Sequence, residues 1–162
     1  MKVNRAQVKI NINRLNLYIV LDENYIYGIH WKRQDAKLLK KSDLDKAKSE
    51  LLDSLELELL KYFDKQLVVF KTPILLEGTE FQLKVWKQLQ RIPYGETISY
   101  KELALKLNSP NASRAVGGAN SKNPISIIVP CHRVIRADGD IGGYAGGVSA
   151  KEKILDVEFG KT

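Results

Sequence analysis

A chain of 162 residues, 44% hydrophobic and 28% charged, is long enough for one large or two small packed domains and too apolar for a disordered chain. No apolar run is long enough to cross a bilayer. The opening residues, MKVNRAQVKININ, lack a continuous apolar stretch of the secretory kind, so a cytoplasmic protein is expected. The net charge is +7, and all of it lies between Lys84 and Arg136, which hold nine basic and two acidic residues between them. Such a segment suits the phosphates of a polyanion, or forms a solvated basic face.

In chain order, Val8, Ile10 and Ile12 alternate with polar residues, as a strand with one buried face requires. Leu15–Leu21 and Tyr25–Trp31 read as two further strands around the turn Asp22-Glu23-Asn24. A helix is expected from about Ser42-Asp43, burying Leu44, Leu51, Leu55, Leu59 and Tyr62 or Phe63. Residues 73–78, with Pro73 and Gly78, read as a linker between an N-terminal α/β domain (1–72) and a mostly helical domain (79–162).

The second domain opens with a capping box, Thr79 to Gln82, before a helix carrying Phe81, Val85, Trp86 and Leu89. Pro93-Tyr94-Gly95-Glu96 ends it. A second capping box, Ser99 to Glu102, starts a short helix to about Leu107, and Pro110 suits the first position of a third helix over residues 111–120. Two short helices joined by a tight turn match a helix-turn-helix. In the third helix Gly117 and Gly118 each cost about 1 kcal/mol relative to alanine; they allow close helix packing, or close approach of backbone to DNA.

Asn123-Pro124 is followed by the run Ile125–Val129, expected to be a buried strand, and then by Pro130-Cys131-His132-Arg133. Cys131 is the only cysteine, which excludes an intramolecular disulfide and any CxxC metal site. With His30 and His132 the only histidines, a zinc site is not expected either. A thiol beside an imidazole, itself steadied by a carboxylate, is an activated nucleophile. Asp138-Gly139-Asp140 makes a turn, and Ile141–Gly147, with four glycines and Tyr144, forms a surface loop or the wall of a pocket for a planar ligand. A third capping box, Ser149 to Glu152, is expected to open a last helix containing Ile154, Leu155, Glu158 and Phe159.

From about Phe81 to Gly160 the chain resembles the O6-alkylguanine-DNA alkyltransferases, the methylated-DNA–protein-cysteine methyltransferases. The resemblance rests on IPYGETISY, SRAVGGAN, NP, IVPCHRVI, GGYAGG and KEKIL, in that order. It implies an α/β protein with a ribonuclease-H-like N-terminal sheet and helix, and a C-terminal domain with a winged-helix-like helix-turn-helix. Its function would be direct DNA repair: one irreversible transfer of an alkyl group from O6-alkylguanine, with O4-alkylthymine a second candidate, to Cys131. The partner would be double-stranded DNA bound in the minor groove with the target base flipped out, and the protein a monomer without cofactor or metal.

The resemblance also implies roles. Cys131 accepts the alkyl group, His132 is its base through a water, Glu158 orients His132, and Asn123 holds the turn around the cysteine. Tyr100 crowds the target phosphate and donates to the purine. Tyr144, with the backbone of Val134, Ile141, Gly142 and on to Ala145, lines the guanine pocket. Arg114 fills the gap left in the base stack, while Ala115, Gly117, Gly118 and Ala119 let the helix into the minor groove. Two positions depart from the family pattern: Ala145 stands where many members have serine, and Asn120 where some have an apolar residue. Two rivals remain. A thiol hydrolase would turn over and leaves the basic segment and the helix-turn-helix unexplained. The other is a purely DNA-binding module, either a regulator or an alkyltransferase-like protein that recognises lesions without repairing them, and such relatives lack the acceptor cysteine.

Overall fold

Val8, Ile10 and Ile12 share a buried face on β1 (Ala6–Ile12), the strand that their alternation predicts. It pairs antiparallel with β2 (Leu15–Leu21) through a two-residue turn in which Asn13 and Arg14 both take positive φ, 52° and 65°. β3 (Ile26–His30) continues the meander, and the short β4 (Leu38–Leu39) pairs parallel with β1, giving the order β3-β2-β1-β4. The crossover to β4 depends on Gln7, fully buried in β1. Its Nε2 donates to the carbonyls of Gln34 and Ala36 at 3.2 and 3.0 Å, and its Oε1 accepts from the Gln34 amide at 2.7 Å. Three bonds satisfy a polar side chain whose burial would otherwise be costly.

This sheet belongs to the first of two compact units, Met1–Leu76 and Glu77–Thr162, into which the chain divides in the computed structural model. The structure describes residues 4–160, so the outermost residues of both expected domains lie outside the described residues. The mixed α/β class is as expected. The first helix starts later than expected: Lys41–Asp43 form a 3-10 turn, Leu44 is extended at ψ 143°, and α1 spans Lys46–Phe63 behind the N-cap Asp45. The shifted start moves the buried stripe to Leu52, Leu55, Leu59 and Tyr62, leaving Leu44 and Leu51 half-buried. Glu58 of α1 then collects the amides of Lys71 and Thr72 at 2.8 Å each.

In the second unit, α2 (Glu80–Leu89) and α3 (Tyr100–Lys106) open with the two expected capping boxes, complete in both directions. Between them lies β5 (Ile98–Ser99). Trp86 of α2 leaves no room for a side chain at Gly78 and donates its indole N–H to the Ala119 carbonyl, 2.8 Å, on α4 (Ser113–Ser121). α3 and α4, the two helices expected to form the helix-turn-helix, pack against each other. α4 begins at Ser113 rather than at residue 111. Pro110 stays in the preceding turn, closed by Ala112 N–H on the Ser109 carbonyl at 2.9 Å.

β6 (Val134–Ile135) pairs parallel with β5, and α5 (Val148–Glu158) is the last element among the described residues. The third capping box does not form. Gly147, at φ 91°, is the N-cap and makes no side-chain cap, so Ser149 already lies inside the helix. No helix among the described residues is long and apolar enough to cross a membrane.

Candidate active site

The run Ile125–Val129 is buried as expected, apart from the half-buried Ile128, but is a turn, not a strand. Pro124 and Pro130 bracket it without N–H groups, and Asn123 supplies the bonds that a neighbouring strand would have given. Its Oδ1 accepts from Ile125 N at 3.0 Å and its Nδ2 donates to the Val129 carbonyl at 2.8 Å. Val129 N closes back onto Ile125 O at 3.0 Å. Ile127 is thereby held at φ 75°, a strained conformation for a β-branched residue that costs on the order of 1–3 kcal/mol. The product of this turn is the 3-10 segment Cys131–Arg133, which starts with the cysteine.

Behind the cysteine is a buried ionic cluster. His132 Nε2 meets Glu158 Oε2 at 2.6 Å, and Arg133 clamps the same carboxylate with Nε and Nη2 at 2.8 and 2.9 Å. Arg133 also donates to the Ile92 carbonyl at 2.7 Å, and Gly95 N reaches Glu158 Oε1 at 3.3 Å. Burial holds His132 below the usual histidine range although Glu158 pulls the other way. A neutral ring donating Nε2–H to Glu158 leaves Nδ1 as a proton acceptor, and that buried atom has no partner among the described residues. Burial pushes the Cys131 thiol up; Asn123, Tyr144 and Lys151 pull it partly back. At neutral pH the resting group is therefore a thiol.

Cys131 lines a cavity of about 310 Å³ together with Tyr100, Asn120, Asn123, Tyr144 and Ala145, at the small end of ligand pockets, which run from about 300 Å³. Burial raises the Tyr100 phenol, partly offset by a hydrogen bond from Asn120, so it stays a donor at neutral pH. Asn120 also donates weakly to the Cys131 carbonyl, 3.4 Å. The loop that supplies Tyr144 and Ala145 is pinned from behind by Lys151. This fully buried lysine donates Nζ to the carbonyls of Val134, Ile141 and Gly143 at 2.7, 2.5 and 3.3 Å.

On α4, Arg114, Ala115 and Gly118 are exposed and Gly117 is half-buried. A Cβ at Gly118 would meet nothing within 4 Å, and at Gly117 only ordinary contact with the Tyr100 ring at 3.7 Å. Packing within the chain does not require either glycine, which favours an outside partner. Ala119 is different: it is only 5% exposed and its backbone carbonyl accepts from Trp86 of α2, so it adds little to that open surface.

A sequence profile described as "6-O-methylguanine DNA methyltransferase, DNA binding domain" matches residues 80–159. The methylated-DNA–protein-cysteine methyltransferase of Methanosarcina barkeri is 52% identical over 101 residues, 62% of this chain and 64% of that protein. The match thus spans less than two thirds of that relative. The Mycobacterium tuberculosis OGT, solved in complex with DNA, superposes with a TM-score of 0.81 at 37% identity, covering 96% of this chain and 93% of that one. The chain belongs to the methylated-DNA–protein-cysteine methyltransferase family. A more distant O6-methylguanine-DNA methyltransferase, from Pyrococcus kodakaraensis, aligns over 95% of this chain at 26% identity with a TM-score of 0.63.

In this methyltransferase-family chain, Cys131, Asn123, Tyr100, Tyr144 and Ala145 line one cavity, with His132 and Glu158 bonded behind it. Val134 and Ile141 stand behind the wall with their carbonyls on Lys151, and Gly142, at φ 75°, shapes the loop. Sequence reasoning missed Arg133, Lys151 and Ser126, a buried residue that also lines the cavity, and gave Asn120 no role. Lysines are almost never fully buried, and Lys151 carries no local sign that it is. Arg133 could have been found from the rule that a buried carboxylate needs a paired cation.

Proposed function

We propose that this chain repairs double-stranded DNA by moving the alkyl group of O6-alkylguanine irreversibly onto Cys131, acting as a monomer in the cytoplasm. The observation that carries the reading is a lone thiol in a small cavity, followed in the chain by a histidine whose buried ring is bonded to a carboxylate. A base inside the duplex cannot reach such a cavity, so the nucleotide is flipped at a cost of a few kcal/mol. Arg114, exposed on α4, fills the gap in the stack, and the open surface at Ala115 and Gly118 lets the helix approach the minor groove. The thiol proton passes through a bridging water to His132 Nδ1. A sulfur–carbon bond forms as the carbon–O6 bond breaks, and guanine leaves with its developing charge met by the Tyr100 hydroxyl. The proton returns to guanine through solvent. The thioether has no good leaving group, so each molecule acts once; no cofactor enters the balance.

Mixing the protein with a duplex carrying one O6-methylguanine should add one methyl mass, on the peptide containing Cys131, and remove one lesion per protein molecule. Multiple turnovers would mean a hydrolase-like catalyst, and binding without a mass change a recognition module. Either result overturns the proposal. In the same assay Arg114→Ala should methylate normally from the free base and lose much of its rate on duplex; full duplex activity would remove Arg114 from the flipping step.

A further inference from the structure

Beside the base cavity lies a second hollow of about 510 Å³, and Tyr100 lines both. Three cations from three separate elements border it: Lys101 from α3, Arg114 from α4, and Arg136 from the turn after β6. Neither Lys101 nor Arg114 has an acidic partner among the described residues. Arg136 has only Asp138, at 4.0 Å, with both side chains more than 60% exposed, an ion pair worth at most about 1 kcal/mol. The Arg136 backbone is fixed in a tight turn, its N–H on the Asp140 carbonyl at 2.9 Å and its carbonyl accepting from Gly139 at 3.0 Å. Its stem runs along the loop that carries Tyr144, with Cγ 3.4 Å from where a Cβ on Gly142 would stand. Arg136 is therefore a cation on an anchored stem, at the edge of the pocket loop, with its charge almost unspent.

We propose that Arg136 is a phosphate ligand for the strand that carries the lesion, holding a backbone phosphate next to the flipped nucleotide while Asp138 acts as its counter-ion in the free protein. The inference rests on the proposed DNA-repair function. A nucleotide whose base enters the cavity must run its sugar and phosphate past Tyr100, the residue that both spaces share, and so into the hollow that Arg136 borders. The contact carries no base information; it fixes register and adds one released counterion.

The test is the salt dependence of binding for the full chain on a duplex containing one O6-methylguanine, read before transfer at low temperature. Each phosphate contact contributes about −0.9 to the slope of log Kobs against log[salt]. Arg136→Ala should be shallower by that amount, so between 50 and 200 mM salt it should lose roughly 3.5-fold less affinity than wild type. Arg136→Lys, which keeps the charge, should restore the wild-type slope. An unchanged slope in Arg136→Ala, or a slope that Arg136→Lys fails to restore, overturns the assignment while wild-type methyl transfer still stands. Wild-type protein that takes up no methyl group instead overturns the function on which the assignment rests.

Discussion

Replacing Glu158 with alanine is expected to cost about 3–5 kcal/mol of folding stability, the usual range for breaking a buried pair by removing one partner. It should also slow methyl transfer to Cys131 by roughly 10²–10⁴-fold, the range that general-base catalysis supplies. Both effects come from one carboxylate. Glu158 accepts from His132, twice from Arg133 and from the Gly95 amide. Without it the Arg133 guanidinium, with a side chain only 9% exposed, stays buried with a single carbonyl bond and no counter-charge. His132 loses the acceptor that fixes its tautomer, so Nδ1 is no longer held as the unprotonated, proton-accepting nitrogen that the proposed relay needs. Glu158→Gln separates the two roles. The amide fills the same volume, and its oxygen still accepts from one partner, so the stability cost should be smaller; the neutral group does not stabilise imidazolium, so transfer should remain slow. Urea unfolding of the full chain and a single-turnover transfer rate measure the two halves. A Glu158→Gln protein that transfers at the wild-type rate would take Glu158 out of the relay.

The sequence made the second unit's local chemistry plain and left its closure hidden. Thr79 with Gln82 and Ser99 with Glu102 are contacts three residues apart, decided by the chain itself, and both boxes form as read. Ser149 with Glu152 has the same spacing and fails, because Gly147 can take φ 91° and starts the helix earlier. Ile125–Val129 was legible as buried, since apolar content reports burial; its shape was not, since that depends on two prolines and one asparagine side chain bonding across six residues. The groups that complete the site come from farther away. Glu158 meets Arg133 across 25 positions, and Lys151 reaches back 17 to Val134. Nothing local in KEKIL distinguishes a buried lysine from an exposed one. In the first unit, Gln7 has the same character: a polar residue on a strand whose partners, Gln34 and Ala36, lie 27 and 29 residues on.

The single-turnover rate of transfer from saturating duplex should be nearly flat from pH 8 down to pH 6.5 and decline only below that range. Burial has moved both partners in directions that make this informative. The Cys131 thiol is pushed up by burial, against Asn123, Tyr144 and the Lys151 ammonium. If the reactive species were thiolate formed by simple ionisation, its population would grow tenfold per pH unit throughout the neutral range, because an ordinary thiol already titrates near ~8.5. Between pH 6 and 8 that is about 100-fold in rate. His132 is held low by burial, with Arg133 and Lys151 acting in the same direction and Glu158 against them. Its Nδ1 therefore remains a neutral base at pH values below ~6.5, where a solvent-exposed histidine would already be half protonated. When this base takes the proton in the transition state, the rate follows the fraction of neutral His132, which is close to one across the neutral range, and the raised thiol pKa keeps the acceptor protonated without limiting the rate. His132→Phe should convert the flat profile into the steep one, slow at pH 7 and rising a decade per unit, since only the rare free thiolate can then react. A wild-type profile already rising tenfold per unit from pH 6 would show that the imidazole behind Cys131 does not move its proton.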